Sequence, residues 1–368
     1  MKQPLRPGRP LRDTYIVVMA GGAGTRFWPR SRSRLPKQLL DIVGDRTMIE
    51  ATVDRVLPLI EWSRILVVCG SEHARFIRRL LPRLPRLNLL AEPQGRNTAP
   101  CVAVAAEMLR QRGQDDAVMV ILPSDHLISR PQVLRRCIRA AAARARQSGE
   151  LITFGIVPRS AESGYGYIRL GASAGREMGS EMFRAGGFVE KPATERAAEM
   201  VRSGRYLWNS GMFVWTAAAI LQEMERHLPA MIRRLRRAGP LVGPKRERSL
   251  RTFYQRGPSV SVDVGVMEKS DRTVVVPCDP GWNDIGSWSA LYEVLSLDPT
   301  GSAARADWIN VDSSGLLIES KKLVATVGVH NLVIIDAADA LLVCDRRRAQ
   351  DVRLVVEQLK RKGKKRYL

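Results

Sequence analysis

A glycine-rich loop with two nearby cations is the part of the sequence best suited to phosphate chemistry. The loop runs through residues 21–25 directly after an apolar segment, Arg26 follows it, and Lys37 comes eleven residues after Arg26. Glycines let backbone N–H groups approach phosphate oxygens without obstruction by a Cβ atom, and two cations suit a polyphosphate. The pattern indicates a nucleotide site, although a tight turn with solvated cations would carry the same residues.

This loop differs from the two common phosphate-binding patterns. The dinucleotide fingerprint G-x-G-x-x-G requires glycine where Phe27 stands, and the P-loop pattern G-x-x-x-x-G-K-[ST] is absent from the segment. Neither a dinucleotide site of that type nor a P-loop is therefore expected here.

Two aspartates follow predicted strands and are candidate metal ligands. Asp125 ends a segment that begins with Ile121, and Asp284 lies in the glycine-bounded loop 281–286. Mg²⁺ is usually held by one or two carboxylates together with substrate phosphates and water. Asp125 and Asp284 could therefore hold Mg²⁺ or another divalent cation if the fold brings them together. A single aspartate at a strand end more often caps a turn or a helix, and that alternative stays open.

The elements that must position these residues follow an alternating pattern. Short apolar runs separated by segments of helical period predict a parallel sheet covered on both faces, and Thr47 to Glu50 form a capping box at the start of one helix. The predicted strands are 15–20, 64–70, 87–91, 117–122, 151–156 and 273–277, and the predicted helices include 98–111, 131–147 and 288–295. Further strands are predicted at 165–170, 182–189 and 212–215, where a mixed sheet is expected. The fold class is therefore α/β, with a doubly wound, mostly parallel but mixed sheet of Rossmann-like type.

The pattern changes after the D-P-T-G segment that ends at Gly301. Short β-rich runs follow without intervening helices, and residues 346–359 then predict a closing helix before a basic tail. A length of 368 residues suggests two or three domains. We therefore predict a basic extension at 1–14, an α/β domain at 15–298 and a small β-rich domain at 299–368.

Composition excludes several classes of protein. The chain is 45% apolar, which is typical of a folded domain, and no run approaches the roughly 20 apolar residues that cross a bilayer, so no membrane partner is expected. Five scattered cysteines without a C-x-x-C pair suggest reduced thiols and a cytoplasmic location. The net charge of +22 attracts anions. The basic residues are dispersed and no helix-turn-helix, zinc-finger or RNP pattern is present, so no specific nucleic-acid partner is expected.

Seven ordered motifs resemble the signature of the mannose-1-phosphate guanylyltransferases, which are also called GDP-mannose pyrophosphorylases. The motifs are M-A-G-G-A-G-T-R-F-W-P-R-S-R-S-R-L-P-K-Q at 19–38, E-P-Q-G-R-N-T-A-P at 92–100, P-S-D-H at 123–126, G-Y-G-Y-I at 164–168, F-V-E-K-P at 188–192, W-N-S-G-M-F at 208–213 and G-W-N-D-I-G-S-W at 281–288. The resemblance implies a nucleotidyltransferase domain that transfers GMP from GTP to mannose 1-phosphate with Mg²⁺, giving GDP-mannose and pyrophosphate.

The resemblance also implies a role for individual residues. The nucleotide would be bound by Gly21, Gly22, Gly24, Thr25, Arg26, Lys37, Glu92, Asn97 and Ser124. The sugar phosphate would be bound by Gly166, Glu190, Lys191 and Asn209, and the metal by Asp125 and Asp284. Arg26, Lys37 and Lys191 would act directly in catalysis. Trp208 and Phe213 are expected to be packing residues, because such aromatic side chains more often belong to a core than bind a ligand.

The end of the chain carries two further expectations. The β-rich region resembles the small left-handed β-helix of short family members, which would serve packing or dimer contacts, so a homodimer stays open. A phosphomannose isomerase domain of the kind found in longer relatives is not expected, nor is isomerase activity. Two alternatives to the main function also remain: a nucleotidyltransferase for another sugar 1-phosphate, and a non-catalytic regulatory protein that binds GDP-mannose.

Overall fold

The computed structural model describes residues 11–22 and 24–368. Most of the predicted basic extension at 1–14 lies outside the described residues, as does Ala23 of the glycine loop. Contacts divide the chain into two compact units, each built from separate segments. The described part of the first unit comprises residues 11–21, Thr52–Ser124 and Ile128–Trp282, and the second comprises Gly22–Ala51, Asp125–Leu127 and Asn283–Leu368. The boundary at 298/299 stays a prediction.

The described chain alternates strands and helices over its first three quarters and is mainly β-structure afterwards. The strands are β1 (Thr14–Ala20), β2 (Ile65–Gly70), β3 (Leu89–Glu92), β4 (Val118–Pro123), β5 (Leu127–Ile128), β6 (Leu151–Ile156), β7 (Tyr167–Glu177), β8 (Ser180–Val189), β9 (Tyr206–Thr216), β10 (Thr273–Cys278), β11 (Trp282–Asn283), β12 (Ala303–Arg305), β13 (Trp308–Val311), β14 (Leu317–Glu319), β15 (Val324–Val327), β16 (Leu332–Ala337) and β17 (Ala340–Asp345). The α-helices are α1 (Met48–Asp54), α2 (Ala74–Leu80), α3 (Thr98–Gln111), α4 (Pro131–Ser148), α5 (Thr194–Arg202), α6 (Ala217–His227), α7 (Pro229–Ala238), α8 (Arg246–Tyr254), α9 (Trp288–Tyr292) and α10 (Val352–Arg361).

The first unit is built on one mixed sheet of nine strands. Their order is β3-β2-β1-β4-β9-β6-β10-β8-β7. Strands β1 to β4 are parallel to one another, and β6 is parallel to β10, whereas β9 runs antiparallel to both β4 and β6. All six residues of β6 are buried, as expected for a strand covered on both faces. The predicted mixed α/β sheet is therefore confirmed.

The sheet places the loops after β1 and β4 side by side. These strands are parallel neighbours, and Met19 at the end of β1 is paired with Pro123 at the end of β4. In an open α/β sheet, ligands bind beyond the carboxyl ends of the strands. The glycine loop follows β1 and the segment Ser124–Asp125 follows β4, so two of the predicted motifs leave the sheet at the same edge.

The second unit combines a β-rich coil with a hydrophobic core of its own. Strands β12, β14 and β16 are parallel to one another, and β13 is parallel to β15. The core packs Phe27 against Trp288, whose ring centroids are 4.9 Å apart, and includes Ile285, Leu317 and Val352. A β-rich C-terminal region of β-helix type is therefore confirmed.

Several helices differ from the predicted bounds. The capping box is present, since Thr47 N–H donates to Glu50 Oε2 at 3.0 Å, but α1 ends at Asp54, whereas the apolar periodicity continues to Ile60. The closing helix begins at Val352, because residues 346–351 form 3₁₀ turns instead. In the described part of the chain, no helix combines the length and the apolar character that crossing a membrane requires.

Candidate active site

The glycine loop has the backbone that its sequence requires. Gly22 and Gly24 have φ angles of 98° and 55°, in the left-handed region that favours glycine. A Cβ atom on Gly24 would lie 2.6 Å from Cβ of Lys37, so no larger residue fits there without movement. Thr25 then opens a single 3₁₀ turn. The Arg26 side chain is exposed and forms no hydrogen bond or ion pair with the described residues, so its charge is available to a ligand.

Lys37 brings the two candidate metal ligands together within the second unit. Its side chain is only 5% exposed. Its Nζ donates to the backbone oxygen of Asp125 at 2.7 Å, to Oδ2 of the same aspartate at 3.1 Å, and to the backbone oxygen of Asp284 at 2.6 Å. Three acceptors match the three N–H donors of a lysine ammonium. The structure therefore joins three predicted site residues from three separate motifs through one amino group.

The charge of this cluster favours an ionised Asp125. Burial opposes ionisation of the carboxyl group, but the neighbouring charges of Lys37 and His126, together with the Lys37 hydrogen bond, outweigh it and hold the pKa of Asp125 below its ordinary value. Asp284 is followed by Ile285, which has a φ of 42°. A positive φ is rare for a β-branched residue and is often found at functional sites. His126, the last residue of the P-S-D-H motif, is thus a neighbour that acts on Asp125 through its charge.

The donor set near Lys37 fits a cation that takes part of its coordination from substrate. The described residues contain no group of three or more His, Cys, Asp or Glu side chains that could hold a metal ion alone. Mg²⁺ commonly relies on one or two carboxylates and on phosphate oxygens and water. Asp125 and Asp284 carry two carboxylates, the number that this smaller requirement calls for, and the Lys37 contact to Asp284 is made through its backbone oxygen.

Three residues that are predicted to bind the nucleotide lie in the first unit, and each has different neighbours. Glu92, at the end of β3, is 7% exposed and accepts a hydrogen bond from the Tyr254 hydroxyl at 2.6 Å. Burial raises the pKa of Glu92 to about 7, the Tyr254 hydrogen bond lowers it, and the charge of Glu72 raises it further. Asn97 caps α3 by accepting the Thr98 N–H at 2.9 Å. No sequence signal pointed to Tyr254.

The third of these residues, Ser124, lies at the end of β4. It is fully buried, and its backbone N–H donates to the Met19 oxygen at 3.0 Å. Its hydroxyl oxygen has no hydrogen-bond partner among the described residues. Ser124 therefore lies beside the strand that leads into the glycine loop.

The residues predicted at the sugar phosphate are gathered in the first unit. The Asn209 N–H donates to the Gly166 oxygen at 2.8 Å, and a Cβ atom on Gly166 would lie 2.7 Å from Oε2 of Glu190. The Lys191 Nζ lies 3.3 Å from Oε1 of Glu190, and 65% of the Lys191 side chain is exposed. Lys191 also has a φ of 43°, a conformation that costs about 1–3 kcal/mol and is concentrated at functional sites.

Asp263 supports this cluster although no motif pointed to it. Its Oδ1 accepts a hydrogen bond from Nδ2 of Asn209 at 2.7 Å, and Asn209 Oδ1 accepts the Gly211 N–H at 3.1 Å. Burial raises the pKa of Asp263, and the negative charge of Glu190 adds to that effect, while the Asn209 hydrogen bond opposes it. Asp263 opens a π-helical turn that ends at Met267, a feature often found near functional sites.

Aromatic rings pack next to Asn209. The Tyr165 ring centroid lies 5.1 Å from that of Trp208 and 5.1 Å from that of Trp282, in edge-to-face arrangements. Trp208 is 5% exposed, and Phe213 is 1% exposed and stacks on Trp215 at 5.3 Å. Trp208 and Phe213 are thus buried residues with aromatic neighbours.

Comparison with known proteins gives the family. The profile of the Nucleotidyl transferase family matches residues 15–300, and that of the MannoseP isomerase/GMP-like beta-helix domain matches residues 306–359. Mannose-1-phosphate guanylyltransferase of Escherichia coli is 41% identical over 357 residues, which are 95% of this chain and 74% of the relative. The chain belongs to the mannose-1-phosphate guanylyltransferase family.

Other relatives agree with this family membership. The xanthan biosynthesis protein XanB of Xanthomonas campestris is 40% identical over 96% of this chain and 75% of its own length. The alginate biosynthesis protein AlgA of Pseudomonas aeruginosa is 37% identical over 95% of this chain and 72% of its own length. A crystal structure described as mannose-1-phosphate geranyltransferase from Thermus thermophilus superposes with a TM-score of 0.85, at 34% identity and with 95% and 99% of the two chains covered. As a guanylyltransferase family member, the chain has both the transferase domain and the β-helix domain.

Proposed function

We propose that this chain is a mannose-1-phosphate guanylyltransferase, which transfers GMP from GTP to mannose 1-phosphate and releases pyrophosphate. Family membership supports the reaction class and both substrates. The observation that carries the proposal is the Lys37 amino group, which donates to the backbone oxygens of both Asp125 and Asp284 and to the carboxylate of Asp125. Two acids that are distant in sequence are thereby held beside the glycine loop of the same unit.

The reaction needs no general base. The second pKa of a phosphate monoester is about 6, so the attacking oxygen of the sugar phosphate is already ionised at neutral pH. Catalysis then consists of holding two anions in line and stabilising charge on the phosphoryl oxygens. The oxygen attacks the α-phosphorus of GTP, a new P–O bond forms, and the bond to the β-phosphate breaks so that pyrophosphate leaves.

The residues divide this work between two clusters. In the second unit, Gly22, Gly24 and Thr25 offer the loop backbone to the nucleotide, and Arg26 neutralises phosphate charge. Asp125 and Asp284 would hold Mg²⁺, which supplies further positive charge to the phosphoryl oxygens when bound. Lys37 already uses its three donors on the protein, so its first role is to position the two aspartates, while its charge adds to the local field.

In the first unit, one cluster serves the sugar phosphate. Gly166, Glu190 and Asn209 bind the hexose, with Asn209 oriented by Asp263, and the exposed Lys191 meets the phosphate. The remaining nucleotide contacts come from Gly21, Glu92, Asn97 and Ser124. We also propose a cytoplasmic location, because all five cysteines are free thiols.

The test is pyrophosphate release from the purified chain, measured with a panel of nucleoside triphosphates and sugar 1-phosphates. GTP with mannose 1-phosphate should give the highest kcat/KM, and preference for another sugar phosphate would displace the mannose assignment. If the chain bound GDP-mannose but turned over no combination of nucleotide and sugar 1-phosphate, the conclusion would change from an enzyme to a regulatory protein.

The metal assignment has its own test. Asp125→Asn and Asp284→Asn should each lower kcat by about 10² or more, because each removes an electrostatic contact that acts in the transition state. Asp307→Asn, an equal change at an exposed aspartate of the same unit, is the control and should leave kcat unchanged. Near-normal rates in both site variants would remove these residues from the metal site.

A further inference from the structure

An arginine-lined groove lies between α7 and the segment that follows α8, within the first unit. Its volume is about 630 Å³. Four arginines line it, namely Arg233, Arg234, Arg237 and Arg256, and no acidic side chain does. None of these residues belongs to the clusters assigned to GTP or to the sugar phosphate.

The guanidinium groups of the groove are not neutralised by the protein. The Arg234 side chain is held in place by two hydrogen bonds, because it donates to the backbone oxygens of Phe253 at 2.9 Å and Thr252 at 3.0 Å. These acceptors carry no net charge. Arg233, Arg237 and Arg256 are exposed and make no hydrogen bond or ion pair with the residues that the structure describes.

A neighbouring arginine on the same helix shows the contrast. Arg236 forms an ion pair with Glu225 and lies 3.8 Å from Oε2 of Glu107. The side of α7 that carries Arg236 is therefore neutralised. The side that lines the groove retains its positive charge.

We propose that this groove binds a polyphosphate anion, a ligand that carries several adjacent phosphate groups. Guanidinium groups pair with phosphate oxygens in a bidentate geometry and remain charged at every physiological pH. Four cations that line one groove exceed the charge of a single phosphate and match that of a chain of two or three. A volume of about 630 Å³ is within the range of small-molecule sites.

The residues that line the groove favour a small free anion over the surface of a lipid membrane as the ligand. Arg234 is half-buried and anchored, so one cation is already in place before a ligand arrives, which lowers the entropic cost of binding. Ala230, Met231 and Pro258 add apolar wall next to the arginines. A free polyphosphate could enter this concavity, whereas the single phosphates of a lipid surface would meet mainly Arg233 and Arg237.

The experiment compares two arginine pairs of equal spacing. Isothermal titration measures the dissociation constant of inorganic tripolyphosphate for the full chain in the absence of divalent cations. The double substitution Arg233→Ala/Arg237→Ala should raise this constant at least about tenfold, because each lost charged hydrogen bond contributes a factor of that order. Arg75→Ala/Arg79→Ala is the control, because these exposed arginines of α2 have the same i, i+4 spacing and no partner in the described chain. That control should change the dissociation constant by less than about twofold.

Three results would overturn the proposal. Equal weakening by both pairs would mean that net charge alone attracts the anion, and unchanged binding in both would place the anion elsewhere. If the chain did not bind tripolyphosphate but sedimented with phosphatidylglycerol vesicles, the ligand of the groove would be a lipid surface and not a free anion. The polyphosphate proposal does not rest on the proposed reaction. The Arg233→Ala/Arg237→Ala variant should retain pyrophosphate release, so the anion-binding proposal and the guanylyltransferase proposal can fail independently.

Discussion

Replacing Glu92 by glutamine should remove a pH dependence of stability that the wild-type chain has. Glu92 is buried, and its pKa rises from an ordinary value of 4.5 to about 7 in the folded chain. Between these values the folded state binds more protons than the unfolded state. Stability from this group is therefore complete below about pH 4.5 and is lost as the pH rises through about 7.

The size of the effect follows from the difference between the two values. At about 1.36 kcal/mol for each pH unit, the step from 4.5 to about 7 corresponds to about 3 kcal/mol. Glutamine carries no charge at any of these pH values, and its amide oxygen still accepts the Tyr254 hydroxyl. The free energy of unfolding of Glu92→Gln, relative to wild type, should therefore increase by about 3 kcal/mol between about pH 5 and about pH 8.5.

Guanidinium unfolding followed by circular dichroism at several pH values measures this difference. Tyr254→Phe is the informative companion, because it removes the hydrogen bond that lowers the pKa of Glu92 and should extend the loss of stability to higher pH. Parallel stability curves for wild type and Glu92→Gln would refute the reasoning. That result would mean that Glu92 ionises normally in the folded chain.

Other substitutions test the remaining parts of the site. Lys37→Met should lower the free energy of unfolding at neutral pH by about 2 kcal/mol, because Asp125 loses its ion pair and is partly buried. Because Lys37 lowers the pKa of Asp125, this stabilisation is present above the ordinary aspartate pKa of about 4 and is lost as the pH falls below it. The free energies of unfolding of wild type and Lys37→Met, measured by chemical unfolding, should therefore converge in acid. Gly24→Ala should cost about 2 kcal/mol or more and lower kcat, whereas Gly44→Ala, with a φ of 74° and nothing within 4 Å of the added Cβ, should cost only the backbone strain of about 1 kcal/mol in the same unfolding assay. Lys191→Ala should raise KM for the sugar phosphate with little change in kcat if Lys191 binds ground and transition states alike, and steady-state rates in which both constants are unchanged would exclude that role.

Periodicity of apolar residues was sufficient for the parallel half of the sheet. Strand β6 has the predicted bounds, β1 begins one residue earlier than predicted, and β4 is shifted by one residue at both ends. Strand β9 is longer than predicted because its first half, from Tyr206, is only partly apolar and is held by pairing with β7. Helix α7 was not predicted, because its four arginines mask the apolar face of Met231 and Leu235.

The motifs identified the principal site residues but not the contacts among them. The motif assigns Lys37 to the triphosphate, but it does not reveal that the Lys37 amino group contacts two aspartates that are distant in the sequence. Tyr254 and Asp263 gave no signal, since each supports a motif residue through a single hydrogen bond formed only in the folded chain. The net charge of +22 also gave no sign of the arginine groove. Only the fold determines that Arg236 is paired and that Arg237 has no partner among the described residues.

The interleaved segments of the second unit have a consequence for biosynthesis. Phe27 and Trp28 leave the ribosome early, but the core that covers them requires Ile285, Trp288 and later residues. Translation proceeds at about 5–20 residues per second, so the nascent chain carries these aromatic side chains without their partners for roughly 10–50 s. The early segment therefore cannot acquire its native packing until most of the polypeptide has emerged.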